Sequence, residues 1–278
     1  MIVISYALTL APVEDEPLTH PVIGWQNIAD ADNLSSDTEA DGFPLSNLLN
    51  PSTNLLWQGV WDSPGLDEHL TINLSDYLED VDYIAVARHN FGTQAFTVSV
   101  EYLDTTDSPE TWVELVEEHI LADDTPVLFR FTPGIYAAVR VKIQAGADST
   151  EAPEVAVLFV GKLLVFERGV QGDYTPLHFG RVATVVSGVA EAGDFLGRII
   201  TSARSESSAS FIGLSPDWVR ETLDPFLEVS AEQPFFFSWS PTDYPDEVGF
   251  AWLENNAQPS FTLEGYANIQ LSMTGILA

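Results

Sequence analysis

The chain has 278 residues, no cysteine, and 42 acidic against 10 basic side chains, for a formal net charge of −32. Such a surface repels phosphate backbones and anionic lipid headgroups, which argues against nucleic-acid binding through a basic face and against membrane attachment. The missing cysteines remove disulfide scaffolds, thiolate nucleophiles and cysteine-ligated zinc together.

Apolar residues make up 45% of the chain and are spread along it, enough for one large or two medium domains. No apolar run approaches the roughly 20 residues that span a bilayer, so no membrane insertion is expected. No Lys or Arg precedes Arg88, while that span holds 15 carboxylates. Saline surroundings and an acidic protein of an ordinary cell fit this charge equally well.

In chain order, Met1–Leu10 reads as a strand and not a secretory signal, because no basic residue leads it. Residues 11–25 are proline-broken and acidic, which predicts loop, and 27–54 are rich in Asp, Asn and Ser. Short β-like runs follow: HLTINL, VDYIAVARH, AFTVSVEYL, TWVELV, VLFRFT, YAAVRVKIQA and VAVLFVGKLLVF. Turn residues separate them at the spacing of a β-sandwich. The aperiodic stretch Glu167–Val182 marks a domain boundary. Beyond it ATVVSGVAEAG, FLGRIITSARS and SASFIGL read as strands. Ser215 as N-cap and Pro216 at the first helical position predict a helix over 216–228, kinked or ended near Pro225. The last run, YANIQLSMTGILA, alternates as a terminal strand.

No catalytic constellation emerges, and the chain is read as a non-enzyme without cofactor or metal. The five histidines follow no metal-ligand spacing. With 42 carboxylates, a pair at glycosidase distance arises by chance and signals nothing. No G-x-S-x-G turn, phosphate loop or dinucleotide fingerprint is present. The acidic stretch Asp30–Gly42 lacks the twelve-residue calcium spacing and reads as a solvated loop.

Two resemblances organise the whole. Pro51-Ser52-Thr53, Trp57, Thr71-Ile72-Asn73-Leu74 and Ala138-Val139-Arg140-Val141 occur in an order that resembles a discoidin or coagulation-factor type C domain over Ile23–Phe166. That likeness implies a β-sandwich whose apical loops hold glycans or lipids in many members, here without the family's disulfide. It makes Arg140 structural and Trp57 and Trp61 the residues to stack on a sugar.

From Arg181 to Ala278, a helix carrying Trp218 and Asp224-Pro225-Phe226 precedes PFFFSW, PTDYPDEVG and a terminal strand. This resembles distal-tail and minor tail proteins of siphophages. It implies a non-enzymatic virion component at the tail tip or baseplate, assembled with itself as a hexameric ring, or alternatively a trimer, and with tail tube, hub or fibre proteins. Trp218, Phe226, Phe235, Phe237, Trp239, Tyr244, Phe250 and Trp252 are then interface candidates, since a small isolated domain does not hide so many aromatics.

The expected organisation is a mainly β chain: strand and loop over 1–22, a discoidin-like sandwich over 23–168, and a β-domain with one short helix over 169–278. The alternative reading is a carbohydrate-binding module of a cell-surface or secreted protein.

Overall fold

The computed structural model describes residues 2–5, 19–60, 67–106, 108–263 and 265–276. Its strands are β1 (Ile2–Ser5), β2 (Val22–Gly24), β3 (Leu34–Ser36), β4 (Trp57–Gln58), β5 (Asp67–Asn73) and β6 (Val81–His89). Then come β7 (Thr97–Asp104), β8 (Thr111–Ile120), β9 (Val127–Gly134), β10 (Ala138–Gln144), β11 (Glu154–Gly161) and β12 (Leu164–Val165). The last are β13 (Arg181–Val189), β14 (Phe195–Leu214), β15 (Phe235–Ser238), β16 (Val248–Leu253), β17 (Ser260–Phe261) and β18 (Ala267–Gly275).

Three sheets are stacked. The first runs β1-β9-β6-β11-β4 and the second β3-β5-β10-β7-β8, and together they form a sandwich. Ile72, Val86, Phe91, Phe129 and Val141 fill the space between them. The third sheet runs β12-β2-β15-β16-β18-β14-β13, with β17 added to β18. It packs on the outer face of the first sheet through Tyr83, Ala85, Phe159, Phe236 and Phe250. β6 is therefore covered on both sides, which explains why VDYIAVARH is apolar throughout instead of alternating.

Val22–Gly24 and Leu164–Val165, placed by sequence within or beside the sandwich, pair instead in the third sheet. Gly24 permits this close approach: a Cβ there would lie 2.7 Å from Tyr83 Cε2. On the outer face of the sandwich, Arg140 donates to Glu101 at 2.6 Å and lies over the Trp112 ring, the structural role its motif implied.

The helix occupies 216–229, one residue longer than expected, and runs through Pro225. Val219–Leu223 form a π-turn in which the Asp224 N–H bonds the Val219 carbonyl five residues back. Pro225 has no N–H to give and its ring crowds the preceding turn, and the wider turn relieves that crowding. Ser215 does not cap the helix with its side chain. Its N–H and Oγ both donate to Glu167, at 2.7 and 2.6 Å, tying the helix to the end of the sandwich.

Candidate functional site

The aromatic segment at Phe235 is a strand with two buried faces. Side chains alternate along a strand, so Phe235 and Phe237 point to the helix side, where Phe226 meets Phe235 edge-on at 5.1 Å. Phe236 points the other way and meets Phe159 at 5.6 Å, and Phe250 beside it reaches Phe159 at 6.1 Å. Phe226, Phe235, Phe237 and Phe250 are all buried. They are core residues, which corrects their expected place at a subunit interface. The interface they fill is internal: the sandwich covers one face of the sheet and the helix the other. Burial of each contributes about 1.5–3 kcal/mol.

Four of the expected interface residues do reach the surface. Trp218 and Trp239 are half-buried, Tyr244 and Trp252 exposed. Trp239 stacks on Tyr244 at 4.9 Å, and its indole N–H donates to Glu247. These contacts fold the 239–247 loop on itself, so the loop is held in one shape.

A second surface stands out. β13 and β14 form a hairpin closed by a turn in which Ala190 N–H bonds Asp194 O and Gly193 takes a φ of 88°. β14 has 20 residues, but only from Ser205 onward does it pair with β18. Its first half, Phe195–Arg204, has β13 as its one neighbour among the described residues. The result is a two-stranded arm of about 30 Å, with neither edge paired to another strand among the described residues. Val186, Val189, Phe195, Leu196, Ile199 and Ile200 each expose 59–70% of their surface on it. Its charged groups are Arg181, Arg198, Arg204, Glu191 and Asp194, so the arm is close to neutral on a chain of net −32.

Isolated two-stranded ribbons are marginal in water, and free edges with exposed apolar side chains are templates for pairing with another strand. The sequence identifies both strands of the arm but not their exposure. ATVVSGV and FLGRII are rich in apolar residues, and such runs look the same whether buried or bare.

Trp57 is fully buried in the sandwich core, where its Nε1 donates to Thr38 O at 3.3 Å. No face of its ring is left for a sugar, which corrects that expectation. Trp61 lies outside the described residues. Beside Trp57, Phe43, Leu55 and Val60 are partly exposed on the 38–60 segment.

His89 is buried at the same end of the first sheet as Trp57, the two flanking Val155 of β11 on either side, and it stacks on Phe91 at 4.5 Å. Its Nε2 donates to Thr125 O at 2.8 Å and its Nδ1 accepts from Phe91 N–H at 3.2 Å. Burial pushes its pKa down from 6.5 to about 4. Thr125 borders a cleft of about 680 Å³ at the root of the arm, which Leu177, Val182 and Ile200 also line. Among the described residues no cluster of three or more His, Asp or Glu has metal-binding geometry. No helix there is long and apolar enough to cross a membrane.

No protein-family model matches the chain, and no curated protein matches it. Solved structures do. One is chitosan-binding module 1 of a chitosanase/glucanase from Paenibacillus sp. IK-5, with 13% identity and a TM-score of 0.41, covering 50% of this chain and 99% of that one. Another is CBM32-3 from a family 31 glycoside hydrolase of Clostridium perfringens, with 21% identity and a TM-score of 0.37, covering 48% and 94%. A third is a pectin-binding carbohydrate-binding module, with 15% identity and a TM-score of 0.36, covering 50% and 92%. The sandwich described above is defined by its own two sheets and the core they share.

Proposed function

We propose that this chain is a structural subunit of a phage tail tip or baseplate, located in the virion and carrying out no reaction. It assembles with copies of itself into a ring through the hairpin arm, and the sandwich faces outward for fibre attachment or contact with a host surface. The observation that carries the assembly is the arm: a near-neutral, apolar, two-stranded ribbon, its edges unpaired among the described residues, on a strongly acidic molecule. Strand addition along either edge would satisfy its backbone groups and cover its side chains at once. Repeating that head-to-tail contact around an axis closes a ring. The acidic remainder discourages other contacts. The tail-tip location draws on the resemblance of Arg181–Ala278 to siphophage tail proteins.

Mass in solution with negative-stain images tests the proposal. A ring is expected, with six copies the first expectation and three the alternative. A strict monomer at all concentrations and salts refutes the assembly.

A second reading makes the chain a carbohydrate-binding module of a cell-surface or secreted protein. It takes its ligand class from the chitosan- and pectin-binding modules named above. The local observation in its favour is the partly exposed apolar group Phe43, Leu55 and Val60 at one end of the sandwich. A monomer that binds glycans would favour it.

A further inference from the structure

A pocket of about 360 Å³ opens where the edge strands of the third sheet meet the helix, away from the arm. Trp25 follows β2, and Trp218 stands in the first turn of the helix; both line it, with Gln26, Lys162, Glu221 and Thr222. Each indole is braced from behind by the core. Trp25 meets Phe226 edge-on at 6.2 Å, and Trp218 lies tilted on Phe166 at 5.5 Å. Both remain half-buried, so ring surface is left at the pocket.

The polar lining is largely unspent. Gln26 uses its Oε1 to accept the Lys162 N–H at 3.1 Å, and its amide nitrogen has no protein partner among the described residues. The same holds for both indole N–H groups, the Thr222 hydroxyl and the Glu221 carboxylate. Among the described residues the Lys162 ammonium reaches only Asp80, at 4.0 Å. Two aromatic walls therefore coincide with four free donors or donor–acceptor groups, one carboxylate and one ammonium.

These groups narrow the ligand class. A purely apolar ligand would leave the polar groups desolvated and unpaired, at a cost of about 1–3 kcal/mol for each one buried. An anion meets Glu221 and the field of a chain of net −32. A cation meets Lys162. What remains is a neutral ring with an apolar face to lie on an indole and hydroxyls around its edge. We infer that this pocket binds one neutral pyranose unit of a glycan, with Trp25 and Trp218 as the stacking walls and Gln26, Glu221 and Thr222 as the hydroxyl partners. The inference depends neither on the arm nor on the loop end of the sandwich.

The test is saturation-transfer NMR and calorimetry on the full chain with a panel of neutral sugars: glucose, galactose, mannose, N-acetylglucosamine and their disaccharides. Saturable binding in the millimolar range is expected for at least one, on the order of −4 kcal/mol. Glu221→Gln and Thr222→Val leave the melting temperature unchanged, because both side chains face the pocket edge without protein partners, and each weakens binding about tenfold. Trp218→Phe, which keeps an aromatic on Phe166, removes the indole N–H and weakens binding as well. No saturable binding by any sugar of the panel overturns the inference. So does binding that Glu221→Gln and Thr222→Val leave untouched, which would place the sugar elsewhere on the molecule.

Discussion

Acidification is expected to destabilise the protein through His89 in particular. Folded, this imidazole is buried and neutral, giving Nε2–H to Thr125 O and accepting Phe91 N–H on Nδ1, with a pKa near 4 against 6.5 in the unfolded chain. Above pH 6.5 neither state binds the proton and the hydrogen bonds count in full. As pH falls from 6.5 towards 4, the unfolded chain takes up a proton that the folded chain refuses, so stability is lost across that window. A shift of about 2.5 units at 1.36 kcal/mol per unit gives roughly 3 kcal/mol in all, of which about 2 kcal/mol is lost by pH 5. Many carboxylates begin to titrate nearby, so the comparison is with His89→Gln, which keeps an N–H for Thr125 but does not titrate. Urea unfolding of both proteins at pH 7 and pH 5, at one salt concentration, isolates the histidine. The variant is less stable at pH 7, having lost the ring stack on Phe91, and the gap narrows or reverses by about 2 kcal/mol at pH 5. A gap that stays constant within about 0.5 kcal/mol would refute the burial argument, because additive carboxylate effects cancel in the difference.

Other consequences are as direct. Trp57→Ala removes a fully buried indole from the sandwich core and is expected to cost about 3–5 kcal/mol, read as a lower urea midpoint. Any sugar binding by the folded fraction survives it, whereas loss of binding without loss of stability would return Trp57 to the surface. Gly24→Ala sets a Cβ 2.7 Å from Tyr83 Cε2, where the third sheet lies on the sandwich. Overpacking of about 1–3 kcal/mol is expected, and an unchanged melting temperature would show that this seam is looser than described.

Much of the fold can be read from the residues. The strands from HLTINL to VAVLFVGKLLVF announce themselves by turn spacing and β-branched content, and Pro216 with the Trp218 to Leu227 pattern locates the helix. What the sequence withholds is the surroundings of each element. PFFFSW has more aromatic surface than one small domain can hide, and from that the segment reads as an intersubunit surface. The fold supplies a second cover, the outer face of the β6 and β11 sheet, and buries Phe236 and Phe250 inside one chain. Trp57 shows the same gap: its motif locates it near the end of a sandwich, but depth depends on Thr38 and on core packing contributed by distant strands. The arm is missed in the opposite direction, since nothing within Val182–Val189 says that no third strand covers it. Trp25 and Trp218 lie 193 positions apart in sequence, and only the seating of β2 in the third sheet brings both to one pocket.

The proposed assembly rests on the arm joining copies of the chain. Sedimentation of the wild type and of an Ile199→Asp, Ile200→Asp double variant tests it most directly, because both side chains are exposed in the single chain and their replacement leaves its core intact. A ring-sized species is expected for the wild type and a folded monomer of 30.5 kDa for the variant. A wild type that sediments as a monomer at every concentration and salt, or a variant that still forms the same ring, would contradict it.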